Sequence, residues 1–393
     1  MNRRLTAWIL SAAAALGLCG CSRVLDAEYV VETSFEPVLP AVESEVPGAN
    51  VASFDELKEV LSDMVADGAI IRSLRFDAGY PGDVSADLAS ACWQVRTQDA
   101  LCAYCVENIA YELSKIINHY EALVTIVYSK TEEDRERILS LPYAADAEEL
   151  LRSAMREGQE RLVLLIERSG YTAEGMEAFA RGIYLSQPAI APQEPSVRVE
   201  MTSGADTQRL YEIFFDYGLP AGELAERSAA LSRLDLFAGI ETETLSEAER
   251  ALLACCALTV RSRAFESSCT GSIYDALILR EADCRGMALA YVELCRELGL
   301  NCQLVEGQRN REDHCWTIVE IDGEHYHVDP SACDLLGLRA GFLLSDEDAW
   351  GNYRWDYFDY PHCSGTLDAE AVSYPRSADA PLESFFPGNE NTT

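Results

Sequence analysis

Between Asp283 and Asp329 the hydrophobic period changes from helical to alternating with almost no intervening loop, and this restricts the fold of the C-terminal half more than any other feature. Residues 284–298 carry apolar side chains at helical spacing and stop at Gly299, the residue type most favoured just past a helix end. Segments 301–306, 314–321 and 325–328 then read as strands, with Asp322 and Gly323 as a two-residue hairpin turn between the last two. A helix followed by antiparallel strands must bury its apolar face on their sheet, so the expected class is α+β. Asp283 is placed to cap the helix, and Cys284 opens it.

The other segments fill in around this core. Residues 22–50 contain Pro37, Pro40 and Pro47 among acidic residues and show no sustained period, as in a tether. Ser53 and Glu56 form a capping box before Leu57, Leu61 and Met64, followed by a strand at 69–76, a helix at 83–95 and a β-rich run at 123–128. About 93 residues later the order returns, with AEEL at 147–150 against FDEL at 54–57 and SGY at 169–171 against AGY at 78–80. There the pattern gives a helix at 146–157, a strand at 162–166, a helix at 174–184 and a strand at 197–201, with a proline-rich loop at 187–195. Two small α+β modules, 51–135 and 140–218, are therefore expected ahead of a domain at 219–365 and a tail at 366–393. In that domain Ser246 and Glu249 form a second capping box before Leu252 and Leu253.

Charge narrows the range of partners. The chain of 393 residues has 31 basic and 66 acidic side chains, a net charge of −35, which excludes bulk electrostatic attraction to a nucleic-acid backbone. Its only lysines are Lys58, Lys115 and Lys130. Arg3 and Arg4 precede an apolar run at 5–18 that is short for a membrane span, so residues 1–21 read as an export signal. Leu18, Cys19, Gly20 and Cys21 resemble the bacterial lipoprotein signal, which implies lipidation of Cys21, attachment to the outer face of the cell membrane and a membrane as partner.

The 14 cysteines include the C-x-x-C pair Cys102 and Cys105, expected on the buried face of a helix because no second pair completes a zinc site. Cys302 and Cys315, on neighbouring strands, are the expected disulfide.

Cys284, His314 and Asp329 supply a thiol, an imidazole and a carboxylate in one domain. A thiol becomes a good nucleophile when deprotonated, an imidazole takes and returns the proton, and a carboxylate fixes the useful tautomer. A helix N-terminus favours the thiolate through its unpaired N–H groups and dipole, while the charge of Asp283 opposes it. Antiparallel pairing of the hairpin would bring His314 and Asp329 side by side. A competing arrangement on the same stretch is a metal site formed by His325, His327 and Asp329, which alternate along one strand.

The segments YDALILREADCRGMALAY, HCWTIVEIDGEHY and HVDPSACD resemble the transglutaminase-like domain of bacterial exported lipoproteins, a branch of the papain-like cysteine superfamily. The resemblance covers about 220–363 and includes FLLSDEDAWGNYRWDYFDYPHC. It implies a papain-like core with Cys284, His314 and Asp329 as triad and Gly286 packed closely beneath the nucleophile. Trp316 reads as core or pocket wall, and no motif marks the second oxyanion donor beside the Cys284 N–H, for which Tyr274 is the candidate. The implied activity is acyl transfer from an amide or peptide bond through a thioester, with a protein, peptide or cell-wall peptide as substrate and no metal or organic cofactor. The alternative is a non-catalytic peptide- or glycan-binding module on the same fold. Met287, Cys315 and Thr317 depart from the pattern, as the usual residues there are aromatic, small and asparagine.

Overall fold

The computed structural model describes residues 48–266, 269–367 and 372. Cys21, the export signal and nearly all of the tether lie outside the described residues, as does most of the tail beyond Leu367. Among the described residues no helix is long and apolar enough to cross a membrane.

The first module runs β1 (Gly48–Val51), α1 (Phe54–Ala66), β2 (Ile71–Phe76), α2 (Val84–Gln98), α3 (Ala100–Cys105), β3 (Val106–Ile116), β4 (His119–Tyr128) and α4 (Glu132–Glu136). The second runs β5 (Ile138–Tyr143), α5 (Ala147–Glu157), β6 (Arg161–Arg168), α6 (Ala173–Ser186), β7 (Ser196–Ser203) and β8 (Arg209–Asp216). Their sheets have the same plan, β1-β2-β4-β3 and β5-β6-β8-β7. The first pair is parallel in each and the remaining pairs are antiparallel.

The repeat is therefore deeper than helix, strand, helix, strand. β1 begins at Gly48, inside the stretch read as tether, and β3 runs through a region where no strand was expected. β3 carries a register irregularity between Val106 and Asn108, which interrupts the alternation that marks a strand in sequence. Cys102 and Cys105 lie on α3, both fully buried.

The C-terminal domain begins with α7 (Ala221–Leu231) and α8 (Glu247–Arg261), the latter capped reciprocally by Ser246 and Glu249 as expected. Two short parallel strands follow, β9 (Arg263–Ala264) and β10 (Glu281–Ala282), closing the loop between them at its base. Next come α9 (Cys284–Glu297), β11 (Cys302–Arg309), β12 (Glu312–Ile321), β13 (Glu324–Val328), α10 (Pro330–Leu336), β14 (Phe342–Leu344), α11 (Asp346–Ala349) and β15 (Tyr353–Arg354). The sheet order is β14-β13-β12-β11-β15. Asp322 and Gly323 both have positive φ, the conformation a two-residue I′ turn needs.

α9 is the centre of the domain, with Met287, Ala288, Ala290 and Tyr291 at 0 % exposure. The hydrophobic core around it is continuous with that of the second module, joining Leu164, Ile183 and Tyr184 to Ala251, Leu258 and Leu289. The first module keeps a core of its own, built on Leu57, Leu61, Leu74 and Val124.

The expected Cys302–Cys315 disulfide does not form. β11 and β12 pair with Cys302 opposite Val319 and Cys315 opposite Glu306, so the two sulfurs lie at different levels of the ladder. All twelve described cysteines are free thiols.

Candidate active site

Asp283 organises the start of α9. Its Oδ1 accepts the Gly286 N–H at 3.0 Å, while Oδ2 accepts the N–H groups of Thr270 and Gly271 at 2.7 and 2.9 Å. One buried carboxylate thus caps the helix and pins the β9–β10 loop over its N-terminus. Two glycines permit that approach: a Cβ at Gly286 would lie 2.8 Å from Ser272 O, and one at Gly271 would lie 2.4 Å from Asp283 Oδ1.

His314 and Asp329 come together. His314 Nε2 lies 2.8 Å from Asp329 Oδ2, across the end of the β12–β13 ladder. Asp329 is also the N-cap of α10, its Oδ1 accepting from the Ser331 hydroxyl at 2.6 Å and the Ala332 N–H at 3.0 Å. Tyr353 donates to Oδ2 at 2.8 Å. Burial alone would raise the pKa of this carboxyl, but the hydrogen bond and charge of His314, with Ser331 and Ala332, outweigh it and hold the pKa below the usual range. An ionised Asp329 accepts the Nε2 proton of His314, so Nδ1 carries the lone pair and is the basic atom. Thr317 ties the same end of the ladder by donating to Val328 O at 2.7 Å.

Cys284 and His314 line one cleft of about 470 Å³ together with Phe265, Arg309, Asp313 and Ser331. The Cys284 thiol, 6 % exposed as a residue, does not hydrogen-bond to the imidazole. Its Sγ lies 2.8 Å from Cys269 Sγ, and the sulfurs of Cys269, Cys284 and Cys315 are all within 4.8 Å of one another. In this arrangement the hydrogen bond to Cys315, then burial, then Cys269 push the Cys284 pKa up. The Cys315 pKa is lowered, first by the Cys284 hydrogen bond and further by Arg285, whose Nη1 is 3.9 Å from its sulfur. The direction for Cys284 is opposite to the tendency of the helix N-terminus, because the neighbouring sulfur and burial oppose it.

Trp316 packs beside His314, ring centroids 6.2 Å apart and planes at 24°. Its indole N–H donates to His327 Nδ1 at 3.0 Å, and His327 Nε2 donates to Asp346 Oδ1 at 2.9 Å. Burial lowers the His327 pKa against the pull of Asp346, so this imidazole is neutral. The proposed grouping of His325, His327 and Asp329 does not assemble: His327 turns to Trp316 and Asp346, and Asp329 turns into α10 and toward His314. β13 ends at Val328, and Asp329 lies beyond it as the N-cap of α10, so the strand does not carry all three side chains. A different set, His327, Asp346 and Cys363, lies within 4.8 Å. Its imidazole uses the Nδ1 lone pair for Trp316 and keeps a proton on Nε2, so it offers a metal no lone pair.

Tyr274 is not among the residues lining the cleft; its ring faces the Arg227 guanidinium 4.8 Å away. Met287 is in the core rather than the cleft. Sequence reasoning missed Tyr353 and Ser331 at Asp329, and Cys269 at Cys284. Tyr353 lay in the family-like stretch after the triad, the one signal that could have found it. Cys269 stood apart from every motif.

The second module reaches the same site. Arg285, next to Cys284, forms ion pairs with Glu194 from the proline-rich loop and with Glu306 at 2.6 Å, and Arg181 bridges the same two carboxylates at 3.0 and 2.7 Å. The loop also donates the Ala189 N–H to buried Glu293 of α9 at 3.2 Å.

Residues 235–330 match the sequence profile described as the Transglutaminase-like superfamily, so this stretch is a transglutaminase-like domain. No curated protein matches the chain. Among solved structures, a candidate cysteine protease from Cytophaga hutchinsonii is similar at 14% identity and TM-score 0.23, over 39% of this chain and 64% of that one. A structure described as a TGase is similar at 10% identity and TM-score 0.20, over 56% and 64%. A candidate protease from Parabacteroides distasonis is similar at 8% and 0.20, over 65% and 39%. The chain thus spans under two thirds of the length of each, and the domain assignment rests on the profile match rather than on these overlaps.

Proposed function

We propose that the transglutaminase-like domain is a thiol acyl-transfer enzyme in which Cys284, His314 and Asp329 act on an amide or peptide bond. The observation that carries this is the His314–Asp329 hydrogen bond, which leaves His314 Nδ1 as the base in a cleft that Cys284 also lines. Rotation of the thiol from Cys269 toward the imidazole lets Nδ1 take its proton. The thiolate then attacks the carbonyl carbon, and the Cys284 backbone N–H at the start of α9 faces the oxygen that becomes negative. As the C–N bond breaks, the proton on Nδ1 passes to the leaving amine, and a thioester remains on Cys284. Water or a second amine takes the acyl group, giving hydrolysis or transamidation.

Tyr353, Ser331 and Ala332 hold Asp329 so that the imidazole keeps one tautomer through the cycle, and Trp316, itself held by His327, walls the ring. The family-like triad segments favour a protein, peptide or cell-wall peptide as substrate. Export and lipidation at Cys21, with placement on the outer face of the cell membrane, are proposed from Arg3, Arg4 and the apolar run at 5–18.

The test is alkylation by iodoacetamide over a pH series for the wild type, His314→Ala and Cys284→Ala, followed by peptide mass mapping. Cys284 should react at least tenfold faster in the wild type than in His314→Ala. Reaction no faster than an ordinary thiol, together with no effect of His314→Ala, would remove the catalytic reading.

A further inference from the structure

Three sulfurs meet at the cleft where catalysis needs one. Cys284 Sγ is 2.8 Å from Cys269 Sγ, and Cys315 Sγ completes a group spanning no more than 4.8 Å. Two other thiol pairs, Cys255 with Cys333 and Cys295 with Cys302, also adjoin, but Cys255 and Cys295 are at 0 % exposure. In the group at the cleft, Cys284 lines the cleft itself and Cys269 is partly exposed, so a small oxidant can reach it.

Cys269 is held there by the structure around the nucleophile. The residues after it, Thr270 and Gly271, are clamped by Asp283, which is also the cap of the nucleophile's helix. Its own thiol donates to Asp313 O at 3.0 Å, beside His314. Its backbone has φ +49°, a conformation a cysteine adopts only when its surroundings impose it. A disulfide bond is about 2.05 Å long, so closing the gap moves the two sulfurs together by only about 0.8 Å. Cys315, by contrast, is 4 % exposed and fixed within the β12 ladder opposite Glu306, while Cys269 is partly exposed on a loop.

We propose that Cys269 is a resolving thiol for Cys284, and that peroxide converts the pair to a reversible disulfide that masks the nucleophile. This rests on Cys284 being the reactive thiol of the proposed function. In the first step Cys284 sulfur attacks one oxygen of hydrogen peroxide, the O–O bond breaks, and a sulfenic acid and one water result. In the second, Cys269 sulfur attacks the sulfenic sulfur, the S–O bond breaks, and the departing hydroxide takes the Cys269 proton as a second water. Two thiols lose two electrons and peroxide gains them. A dithiol reductant such as dithiothreitol reverses the change by exchange, returning both thiols. With Cys269 in place the sulfenic acid is captured before a second peroxide can carry it to the irreversible sulfinic acid.

The experiment treats the full chain with graded hydrogen peroxide, then measures Cys284 alkylation before and after dithiothreitol and maps disulfide-linked peptides without reduction. The expected result is at least a tenfold loss of Cys284 alkylation, full recovery with dithiothreitol, and a linked peptide pair containing Cys269 and Cys284. In Cys269→Ser the loss should become mostly irreversible, with sulfinic acid on Cys284, whatever the rate of alkylation before peroxide. Cys315→Ser should remain recoverable. A Cys284–Cys315 link, no link at all, or recovery with a chelator instead of dithiothreitol would overturn the proposal. The mapping on unmodified protein decides the matter even if a variant fails to fold. Slow Cys284 alkylation that His314→Ala leaves unchanged would defeat the catalytic reading separately, since the linked peptides are read without it.

Discussion

The two N-terminal modules have the same sheet and differ in one connection. Between its second helix and third strand, the first module inserts α3, whereas the second runs through the proline-rich loop at 187–195. Each connection docks on the unit that follows in the chain. α3 packs on β7 and β8, the Ala100 N–H donating to Gln208 at 2.9 Å. The proline-rich loop packs on α9 and delivers Glu194 to Arg285, the neighbour of Cys284. A repeated scaffold can therefore dock on the next module in one copy and reach the residue beside Cys284 in the other, according to what a single variable loop touches.

Cavity mutations test this most strongly. Leu74→Ala and Leu164→Ala remove similar, fully buried side chains and should each cost about 2–5 kcal/mol. Their reach should differ. Cys92, Cys102 and Cys105 report on the first core, and Cys255 and Cys295 on the shared one. In thiol labelling across a urea gradient, Leu164→Ala should expose Cys255 and Cys295 earlier, whereas Leu74→Ala should expose only the first three. If Leu74→Ala exposes all five together, the two modules are not energetically distinct.

Glu194→Gln is the next test, because it weakens the contact that sets the second module apart. Arg285 is largely buried and would keep Glu306 as its one ion-pair partner among the described residues, so a loss of about 1–3 kcal/mol is expected in the unfolding of the C-terminal domain. Gln208→Ala, at the junction of the two modules, should leave that transition unchanged. Equal effects would mean that the docking of α3 matters as much to the site as the proline-rich loop does.

The smallest effect concerns how far the contact extends. Since Cys315 is the main reason that the Cys284 pKa is raised, Cys315→Ala should move the alkylation midpoint of Cys284 to lower pH, with the thiolate present over a wider range above it. The pH profile of alkylation measures this. An upward shift would show that Cys315 is not what raises the Cys284 pKa.

The core of the C-terminal domain was legible because its signals are local. Gly299 at the helix end, Asp322 and Gly323 in the turn, Asp283 at the cap and the capping box at Ser246 each need only a few neighbouring residues, and each stands where the sequence placed it. The repeat was visible only in part. β3 was hidden by its register irregularity, and β8 reads RLYEIFFD, with apolar residues on both faces and no clean alternation. Cysteine pairing could not be judged from strand neighbourhood alone, because a few residues of register separate Cys302 from Cys315.

The sequence by itself determined that a helix beginning at Cys284 precedes strands carrying His314 and a segment ending at Asp329, because capping, turn and alternation rules act over short distances. The tertiary structure decided which groups meet. Tyr353 and Ser331 close around Asp329, Glu194 arrives from another module, and Cys269 is brought to Cys284 by a loop that Asp283 clamps. Those contacts join residues far apart in the chain, and their energies depend on burial and register that no local pattern encodes.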